Sequence, residues 1–348
     1  MNETSPIPAA GLSTVPPTGK AAPRIAVLVP CYDEEVTIAT VVAGFQAALP
    51  EATVYVYDNN SRDGTVAAAQ AAGAVVRRET RQGKGEVVRR MFADIEADVY
   101  VLVDGDATYD AAAAPDLVAR LIDDGLDMVT GCRIAPEGKG YRPGHRFGNW
   151  MLTGLVAMIF GRSTRDMLSG YRIFSRRFVK TFPALSRGFE IETELTVHAL
   201  ELRMPVADLD TAYADRPEGS VSKLGTFRDG LRILRIIADL VRDERPLPFF
   251  GAIALLLALL SVGIMVPVVL DYLATGLVER FPTAILASAL MVVAVLSFFA
   301  GLILDTVTQG RRELKRLAYL DLPGPHAGGF RLPAGASSDE PRSRSGAA

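Results

Sequence analysis

Between residues 24 and 131, short apolar runs alternate with segments whose apolar residues recur at helical spacing. The short apolar runs predict strands, and the segments with apolar residues at helical spacing predict helices. This alternation indicates an α/β domain with a mostly parallel sheet and helices on both faces. The predicted strands are 24–30, 53–58, 74–78, 99–104 and 127–131, and the predicted helices are 36–49, 64–73, 84–95 and 114–125.

Two long uncharged segments follow this region. Residues 249–270 and 282–304 carry no charged side chain, and each is long enough to cross a bilayer as a helix. A short polar loop separates them, which favours a membrane hairpin over a pair of buried core helices. We therefore expect two transmembrane helices that contact the lipid bilayer and leave room for a homo-oligomer packed through the membrane.

The charges beside the two spans predict the orientation of the hairpin. The loop between them has a single basic residue, Arg280, whereas both outer flanks are basic. The positive-inside tendency then places both termini and the α/β domain in the cytoplasm, and we expect a multi-pass protein of the inner (plasma) membrane. The flanking basic residues are Arg228, Arg232, Arg235, Arg242 and Arg245 before the first span, and Arg311, Arg312, Lys315 and Arg316 after the second.

Two further segments favour contact with the membrane surface. In residues 227–248 the arginines lie off an apolar stripe, which predicts an interfacial amphipathic helix. Residues 147–161 are apolar but too short to span, and they form either an interfacial segment anchored by Trp150 or an ordinary buried helix. The predicted organisation is a disordered lead (1–23), a cytoplasmic domain (24–226), the interfacial helix (227–248), the two spans, and a basic, then disordered tail (305–348).

Composition narrows the function. The chain has 348 residues and a net charge of −3, so a general affinity for nucleic acid is not implied. Residues 1–23 are rich in Pro, Ser, Thr and Ala and lack the apolar stretch of a signal peptide. Cys31 and Cys132 have no metal-like spacing, so we expect two unpaired thiols in a reducing compartment.

Three predicted strands end in acid-bearing turns. Asp33 and Glu34 follow the first strand, Asp58 ends the second, and VLVDGD places two carboxylates after the fourth. Ligands of such sheets collect at the carboxyl ends of the strands, so we expect these acids to converge on one crevice. Asp104 and Asp106 repel each other unless a cation lies between them, and hard oxygen ligands suit Mg²⁺ or Mn²⁺. By itself, Asp-x-Asp is a weak signal, since most occurrences are solvated turns.

Further motifs sharpen this picture. PCYDEE (30–35), YDNNSRDGT (57–65) and GKGEVVRR (83–90) stand in the order found in inverting family 2 glycosyltransferases with the GT-A fold, which the sequence resembles from about residue 24 to 320. SGYRIFSRR (169–177), GFEIETELT (188–196) and RPEGSVSKL (216–224) resemble the polyprenyl-phosphate branch, of the dolichol-phosphate mannose synthase type, whose bacterial members also have two C-terminal spans.

The resemblance implies roles for individual residues. It implies a nucleotide-diphosphate sugar donor, linked to uridine or guanosine, and a polyprenyl phosphate acceptor. Asp106, Asp166 and Arg216 are the expected catalytic residues, and Asp104 and Asp106 the expected metal ligands. The expected donor-binding residues are Pro30, Tyr32, Glu34, Asp58, Lys84, Asp104, Asp106, Arg216 and Lys223, and the expected acceptor-phosphate residues are Arg133 and one of Arg142 or Arg146.

The sequence departs from the family pattern at three places. Thr108 stands where many relatives have a glutamine as third metal ligand, and Asn59 stands where many have a second aspartate. Lys223 is one residue further from Arg216 than in some relatives. Local alternatives also stay open: Asp166 could pair with Arg165 or Arg172, and the acids at 190, 192 and 194 could form a solvated helix face or include a pocket residue.

The residue types suit a hexosyl transfer by single displacement. A phosphate monoester oxygen is already anionic at neutral pH, so it needs positioning and charge neutralisation rather than a strong base. The product would be a lipid-linked monosaccharide for cell-envelope glycans. Other classes remain: a processive polysaccharide synthase, which lacks support because Gln-x-x-Arg-Trp is missing, a non-catalytic sugar-nucleotide-binding subunit, and a small membrane scaffold or transporter.

Overall fold

The central strands of the fold are buried on both faces and carry almost only apolar side chains. The computed structural model describes residues 22–134, 153–154, 156–158, 161, 164–186, 188, 190–214, 216–217, 238–239 and 241–325. The strands are β1 (Ile25–Cys31), β2 (Thr53–Asp58), β3 (Val75–Arg78), β4 (Val99–Leu102), β5 (Met128–Ile134), β6 (Arg172–Ser175) and β7 (Val206–Ala212). The helices are α1 (Ile38–Ala48), α2 (Thr65–Ala71), α3 (Lys84–Asp94), α4 (Ala114–Asp123), α5 (Arg176–Thr181), α6 (Ile191–Glu201), α7 (Pro246–Thr275) and α8 (Phe281–Leu320).

The strands form one seven-stranded sheet in the order β3-β2-β1-β4-β6-β5-β7. β1 pairs in parallel with β2 and β4, so the turns after these three strands leave the sheet at the same edge. β6 runs antiparallel to both β4 and β5, which brings the residues that precede β6 to that edge as well. The mostly parallel α/β sheet is confirmed, whereas β6 and β7 were not predicted.

The alternation of side chains along β1 explains the two-layered core. Val27 and Val29 face the cluster built with α1, α2 and α4, where Phe45 and Leu117 are fully covered. Leu28 faces the opposite cluster, built with α3, α5 and α6. Because successive strand residues point to opposite faces, one apolar run serves both layers.

The last two helices, α7 and α8, form an antiparallel hairpin. Both are long and apolar enough to cross a membrane, judged by length and composition. Small residues at seven-residue spacing let the helices approach closely, as in coiled coils and membrane bundles. A Cβ at Gly301 would lie 2.9 Å from Phe250 Cβ, and Ser261 Oγ donates to the Ala287 carbonyl at 2.7 Å. The buried positions of this seam are Ala254, Ser261 and Val268 on α7, and Ala287, Ala294, Gly301 and Thr308 on α8.

The end of α8 packs against the α/β domain. The basic segment after residue 304 continues as helix to Leu320, which the sequence pattern did not predict. Lys315 Nζ lies 2.6 Å from Glu201 Oε2, at the last residue of α6. Tyr319 donates to Asp127 Oδ2 at 2.8 Å, and the Arg177 guanidinium lies 4.6 Å from the centre of the Tyr319 ring. These contacts connect the hairpin directly to the sheet.

Several predictions concern residues outside those described. They include the lead and the end of the tail, Trp150 with much of the segment 147–161, and much of the amphipathic helix 227–248. Arg142, Arg146 and Lys223 also lie outside the described residues, so their assigned roles stay predictions. Cys31 and Cys132 are buried and do not form a disulfide, and burial raises the pKa of Cys132 to about 12.

Candidate active site

The turns after β1, β2 and β4 contact one another at the carboxyl edge of the sheet. Thr37 Oγ1 donates to the Gly105 carbonyl at 2.7 Å, which ties the start of α1 to the turn after β4. The Asp33 amide donates to Ser61 Oγ at 2.9 Å, which ties the first turn to the second. The predicted convergence of the acids is therefore observed. We call this group the acidic edge: Asp33, Glu34, Asp58, Asp104 and Asp106.

Each of these turns contains a residue with a left-handed backbone. The φ angles are 51° at Asp33, 67° at Asn60 and 57° at Ala107. Non-glycine residues rarely adopt this region, and such strain is concentrated at functional sites, where surrounding contacts hold it. Gly105 is required for a different reason, since a Cβ there would lie 2.7 Å from Cys31 Sγ.

Asp104 and Glu192, a residue of α6, both form an ion pair with Lys84. Lys84, at the start of α3, places Nζ 2.5 Å from Asp104 Oδ1 and 2.6 Å from Glu192 Oε1. Burial lowers the pKa of Lys84, but the two carboxylates outweigh this effect and raise it overall, so the ammonium stays charged. Glu192 is thus buried against Lys84 and does not lie on a solvated helix face.

Asp106 is held by its own turn and by the chain that leaves β7. Its Oδ1 accepts from Thr108 Oγ1 at 2.6 Å, and its Oδ2 lies 2.6 Å from Arg216 Nη2. The Ala214 amide donates to the Thr108 carbonyl at 2.9 Å, and Tyr213 forms a bridge with Tyr109. The chain therefore follows the turn after β4 and brings Arg216 to Asp106. Thr108, which replaces the family's glutamine, fixes the orientation of this carboxylate.

The first two turns form the other part of the acidic edge. Asp58 is fully buried, and its Oδ1 accepts from the Ser61 amide at 3.1 Å. Its Oδ2 lies 3.4 Å from Arg78 Nε and has no hydrogen-bond partner among the residues described. Such an oxygen can accept a hydroxyl or ring N–H of a ligand. Pro30, Tyr32 and Glu34 line the end of β1 next to it, with Glu34 buried.

Asn59 organises the loop that leads to Lys84. Its Nδ2 donates to the carbonyls of Glu79 and Arg81 at 2.9 and 2.7 Å, and its Oδ1 accepts from the Gly83 amide at 2.7 Å. A carboxylate has no N–H to donate. The amide at this position, where many relatives have an acid, therefore serves the loop and not a metal.

We expect Asn59→Asp to weaken donor binding about 10-fold, because a carboxylate cannot donate to the Glu79 and Arg81 carbonyls, and the loop that leads to Lys84 loses these two part-buried hydrogen bonds. The measurement is the donor KM. The matched control is Asn60→Asp, since the exposed Asn60 amide also donates to this loop, to the Thr80 carbonyl at 3.0 Å, where water can replace it. Equal effects of the two variants would contradict the assigned role of Asn59.

Arg133 and Asp166 form a bidentate pair. Arg133 donates from Nε and Nη2 to the two carboxylate oxygens, each at 2.7 Å, and both side chains are largely buried. Burial opposes ionisation of Asp166, but the hydrogen bonds from Arg133 outweigh it and hold the pKa of Asp166 below its ordinary value. The alternative partners expected from the sequence were wrong. Arg165 pairs with Asp208 and Asp210 of β7, and Arg172 points into the core.

Gly170 and Tyr109 join the two halves of the site. A Cβ at Gly170 would collide with the Asp104 carboxylate, so a larger residue there would displace that carboxylate. The Gly170 amide donates to the Tyr109 hydroxyl at 2.7 Å, and burial raises the pKa of Tyr109, with Arg133 lowering it and Asp104 raising it. The charges of Asp104, in the acidic edge, and of Arg133, in the pair with Asp166, therefore both act on the Tyr109 hydroxyl.

Comparison with known proteins decides the family. The model of glycosyl transferase family 2 matches residues 26–182. The chain is also 32% identical over 305 residues to the glycosyltransferase AglJ of Haloferax volcanii. This alignment covers 85% of the chain and 98% of AglJ. The chain belongs to glycosyltransferase family 2. A second H. volcanii protein, a dolichyl-phosphate hexose transferase, is 26% identical over 64% of this glycosyltransferase and 95% of its own length.

The solved structures confirm the GT-A fold of this glycosyltransferase. Glucosyl-3-phosphoglycerate synthase of Mycobacterium tuberculosis, crystallised with Mn²⁺, UDP and glucosyl-3-phosphoglycerate, superposes with a TM-score of 0.52. The two chains are 23% identical, and the match covers 63% of this glycosyltransferase and 79% of the synthase. This likeness concerns the fold.

The acidic edge of this glycosyltransferase suits a divalent ion. Asp104 and Asp106 offer hard oxygens, and in this structure Lys84 and Arg216 place a positive charge beside each of them. In the described ranges, no group of three or more Asp, Glu, His or Cys side chains could hold a metal. The two carboxylates fit an ion that takes its remaining ligands from donor phosphates and water.

Proposed function

We propose that this glycosyltransferase transfers a hexose, with inversion, from a UDP- or GDP-linked sugar to a polyprenyl phosphate of the undecaprenyl or dolichyl type. The reaction takes place at the cytoplasmic face of the inner membrane and gives a lipid-linked monosaccharide for cell-envelope glycans. The observation that carries the proposal is the largely buried Arg133–Asp166 pair beside the acidic edge, because it combines an anion-binding group with a nucleotide-sugar site.

The part of the site that would bind the nucleotide sugar supplies positive charge for its diphosphate. Lys84 and Arg216 are the cations that pair with Asp104 and Asp106. When donor binds, Arg216 turns from Asp106 to the leaving diphosphate, while Lys84 keeps Glu192 as its second partner. The buried Asp58 oxygen accepts a hydrogen bond from the ribose or base.

Asp104 and Asp106 would hold Mg²⁺ or Mn²⁺. A bound ion would act as a Lewis acid and neutralise charge on the departing nucleotide diphosphate. Thr108 keeps Asp106 oriented through Oγ1, and Gly170 leaves the space that the Asp104 carboxylate occupies.

The acceptor half needs an arginine rather than a base. The planar guanidinium of Arg133 suits a phosphate, and Asp166 fixes its plane through two hydrogen bonds. The acceptor phosphate is already anionic, so the enzyme has to align it behind the anomeric carbon and exclude water. A direct contact of Asp166 with the sugar, and of Arg142 or Arg146 with the phosphate, stays a prediction.

The membrane segments support a lipid acceptor. Two apolar helices alone are weak support for membrane association, but α8 also extends onto the α/β domain, where Lys315 contacts Glu201 and Tyr319 contacts Asp127. A fixed connection of this kind would hold the site at a constant height above the headgroups. The dolichyl-phosphate hexose transferase among the relatives adds support from outside this chain.

The test is transfer by the purified full-length protein in lipid nanodiscs. Undecaprenyl phosphate is incubated with UDP-glucose, UDP-N-acetylglucosamine or GDP-mannose, with Mn²⁺ or with EDTA. We expect one donor to give a lipid-linked monosaccharide, with release of nucleotide diphosphate that depends on both acceptor and metal. A long polymer would instead identify a processive synthase, and absence of both product and nucleotide release with every donor would identify a non-catalytic subunit.

A further inference from the structure

Glu192 has an oxygen that the protein does not use. The residue lies in the first turn of α6, is 6% exposed, and contacts Lys84 through Oε1 at 2.6 Å. Its Oε2 is buried without a hydrogen-bond partner in the described part of the chain. Leaving a buried carboxylate oxygen unpaired costs about 1–3 kcal/mol or more, so such an atom points to a ligand.

The neighbouring acid on the same helix shows the contrast. Glu194 accepts from the amides of Leu185 and Ser186 through Oε1 and Oε2, each at 2.8 Å. Both of its oxygens therefore serve the fold. Glu192 differs because half of its carboxylate has a partner and the other half has none.

The position of Glu192 indicates which part of the donor it meets. Lys84 connects its Oε1 to Asp104 Oδ1, so the carboxylate lies beside the acidic edge where the sugar and diphosphate would lie. A carboxylate oxygen accepts hydrogen bonds and repels phosphate. The ribose and base are assigned to Asp58, which ends β2, and β1 separates that strand from β4, which precedes Asp104. The remaining part of the nucleotide sugar that can donate a hydrogen bond to Glu192 is a hydroxyl of the transferred sugar.

We propose that Glu192 is a sugar-specificity residue, which accepts a hydrogen bond from a hydroxyl of the transferred sugar through Oε2 while Oε1 keeps Lys84 in place. The inference rests on the proposed function, since it requires a nucleotide-sugar donor. A site built to accept one hydroxyl discriminates strongly against an analogue that lacks it or turns it away, because a buried group is then left unpaired.

The experiment compares binding of the nucleotide sugar with binding of the nucleotide diphosphate alone, using calorimetry on wild type, Glu192→Gln and Glu192→Asp. The probes are UDP-glucose, UDP-N-acetylglucosamine and GDP-mannose, against UDP and GDP. We expect both variants to lower the affinity for the nucleotide sugar that wild type binds by about 10-fold or more. The affinity for the matching nucleotide diphosphate should fall by less than about 3-fold. Deoxy analogues of that sugar should weaken binding to wild type but cause no further loss in Glu192→Gln.

The control is Glu194→Gln, for which sugar-nucleotide and diphosphate affinities should both stay near those of wild type. A parallel loss of both ligands in the Glu192 variants would show that Glu192 supports Lys84 only, and would overturn the inference while the proposed function stands. If wild type binds none of the three nucleotide sugars, both proposals fail.

Discussion

Asp106→Asn should reduce the rate of sugar transfer by about 10³-fold, the scale expected when a charged group of a preorganised site is removed. Asp106 serves two partners, since Oδ1 accepts from Thr108 and Oδ2 pairs with Arg216. An amide cannot satisfy both, because its NH₂ group would face either the Thr108 backbone N–H, which donates to Oδ1 at 3.2 Å, or the Arg216 guanidinium. The negative charge that would hold a divalent ion is lost as well. The measurement is the initial rate of lipid-linked product at saturating donor.

The control for this variant lies four residues away on the same turn. Asp110 Oδ1 accepts from the Ala112 amide at 2.9 Å and caps a short 3₁₀ turn outside the acidic edge. Asp110→Asn should keep most of the activity, and both variants should melt close to wild type. Full activity of Asp106→Asn in the presence of EDTA would rule out the metal and the assigned role of Asp106.

The sequence pattern predicts the first half of the fold well for a physical reason. Buried parallel strands carry apolar side chains on both faces, so β1, β2 and β4 stand out as short runs separated by amphipathic helices. The acids follow these runs directly, and parallel pairing places them at one edge. Asp104 and Asp106 could therefore be assigned to a common site before any contact was known.

The second half of the sheet has no such signal. β6 is four residues long and begins with the buried Arg172, and β7, VADLDTA, carries two aspartates and is mostly half-buried. Neither strand forms an apolar run, and each is defined by pairing with distant segments. The burial of Glu192 depends likewise on Lys84, which lies 108 residues earlier in the chain.

Charge pairing was the least predictable feature of the site. One alternative paired Asp166 with an arginine close in sequence, yet it pairs with Arg133, 33 residues away. Arg165 is drawn instead to Asp208 and Asp210, because β7 runs beside β5. The carboxylates compete for cations in three dimensions, and sequence distance does not decide the outcome.

Arg172→Met should lower the free energy of unfolding by about 3–5 kcal/mol, because three buried acceptors lose their donor and each unsatisfied buried polar group costs about 1–3 kcal/mol. Arg172 is fully buried and donates to the carbonyls of Ser169 and Met167 at 3.0 and 2.6 Å, and to Thr196 Oγ1 at 2.7 Å. Methionine fills similar volume but leaves these acceptors without a donor. We expect the melting temperature in detergent to fall by about 10 °C.

Arg176→Met is the matched control, because Arg176 makes a partly exposed pair with Glu96 at 3.3 Å at the end of the same strand. Exposed pairs contribute about 0–1 kcal/mol, so this variant should melt close to wild type. Equal melting of the two variants would show that the buried guanidinium is not required. Because Arg172 holds the turn that brings Gly170 against Asp104, its loss should also reduce transfer below the melting temperature. The SGYR motif would then couple the stability of β6 to the geometry of the acidic edge.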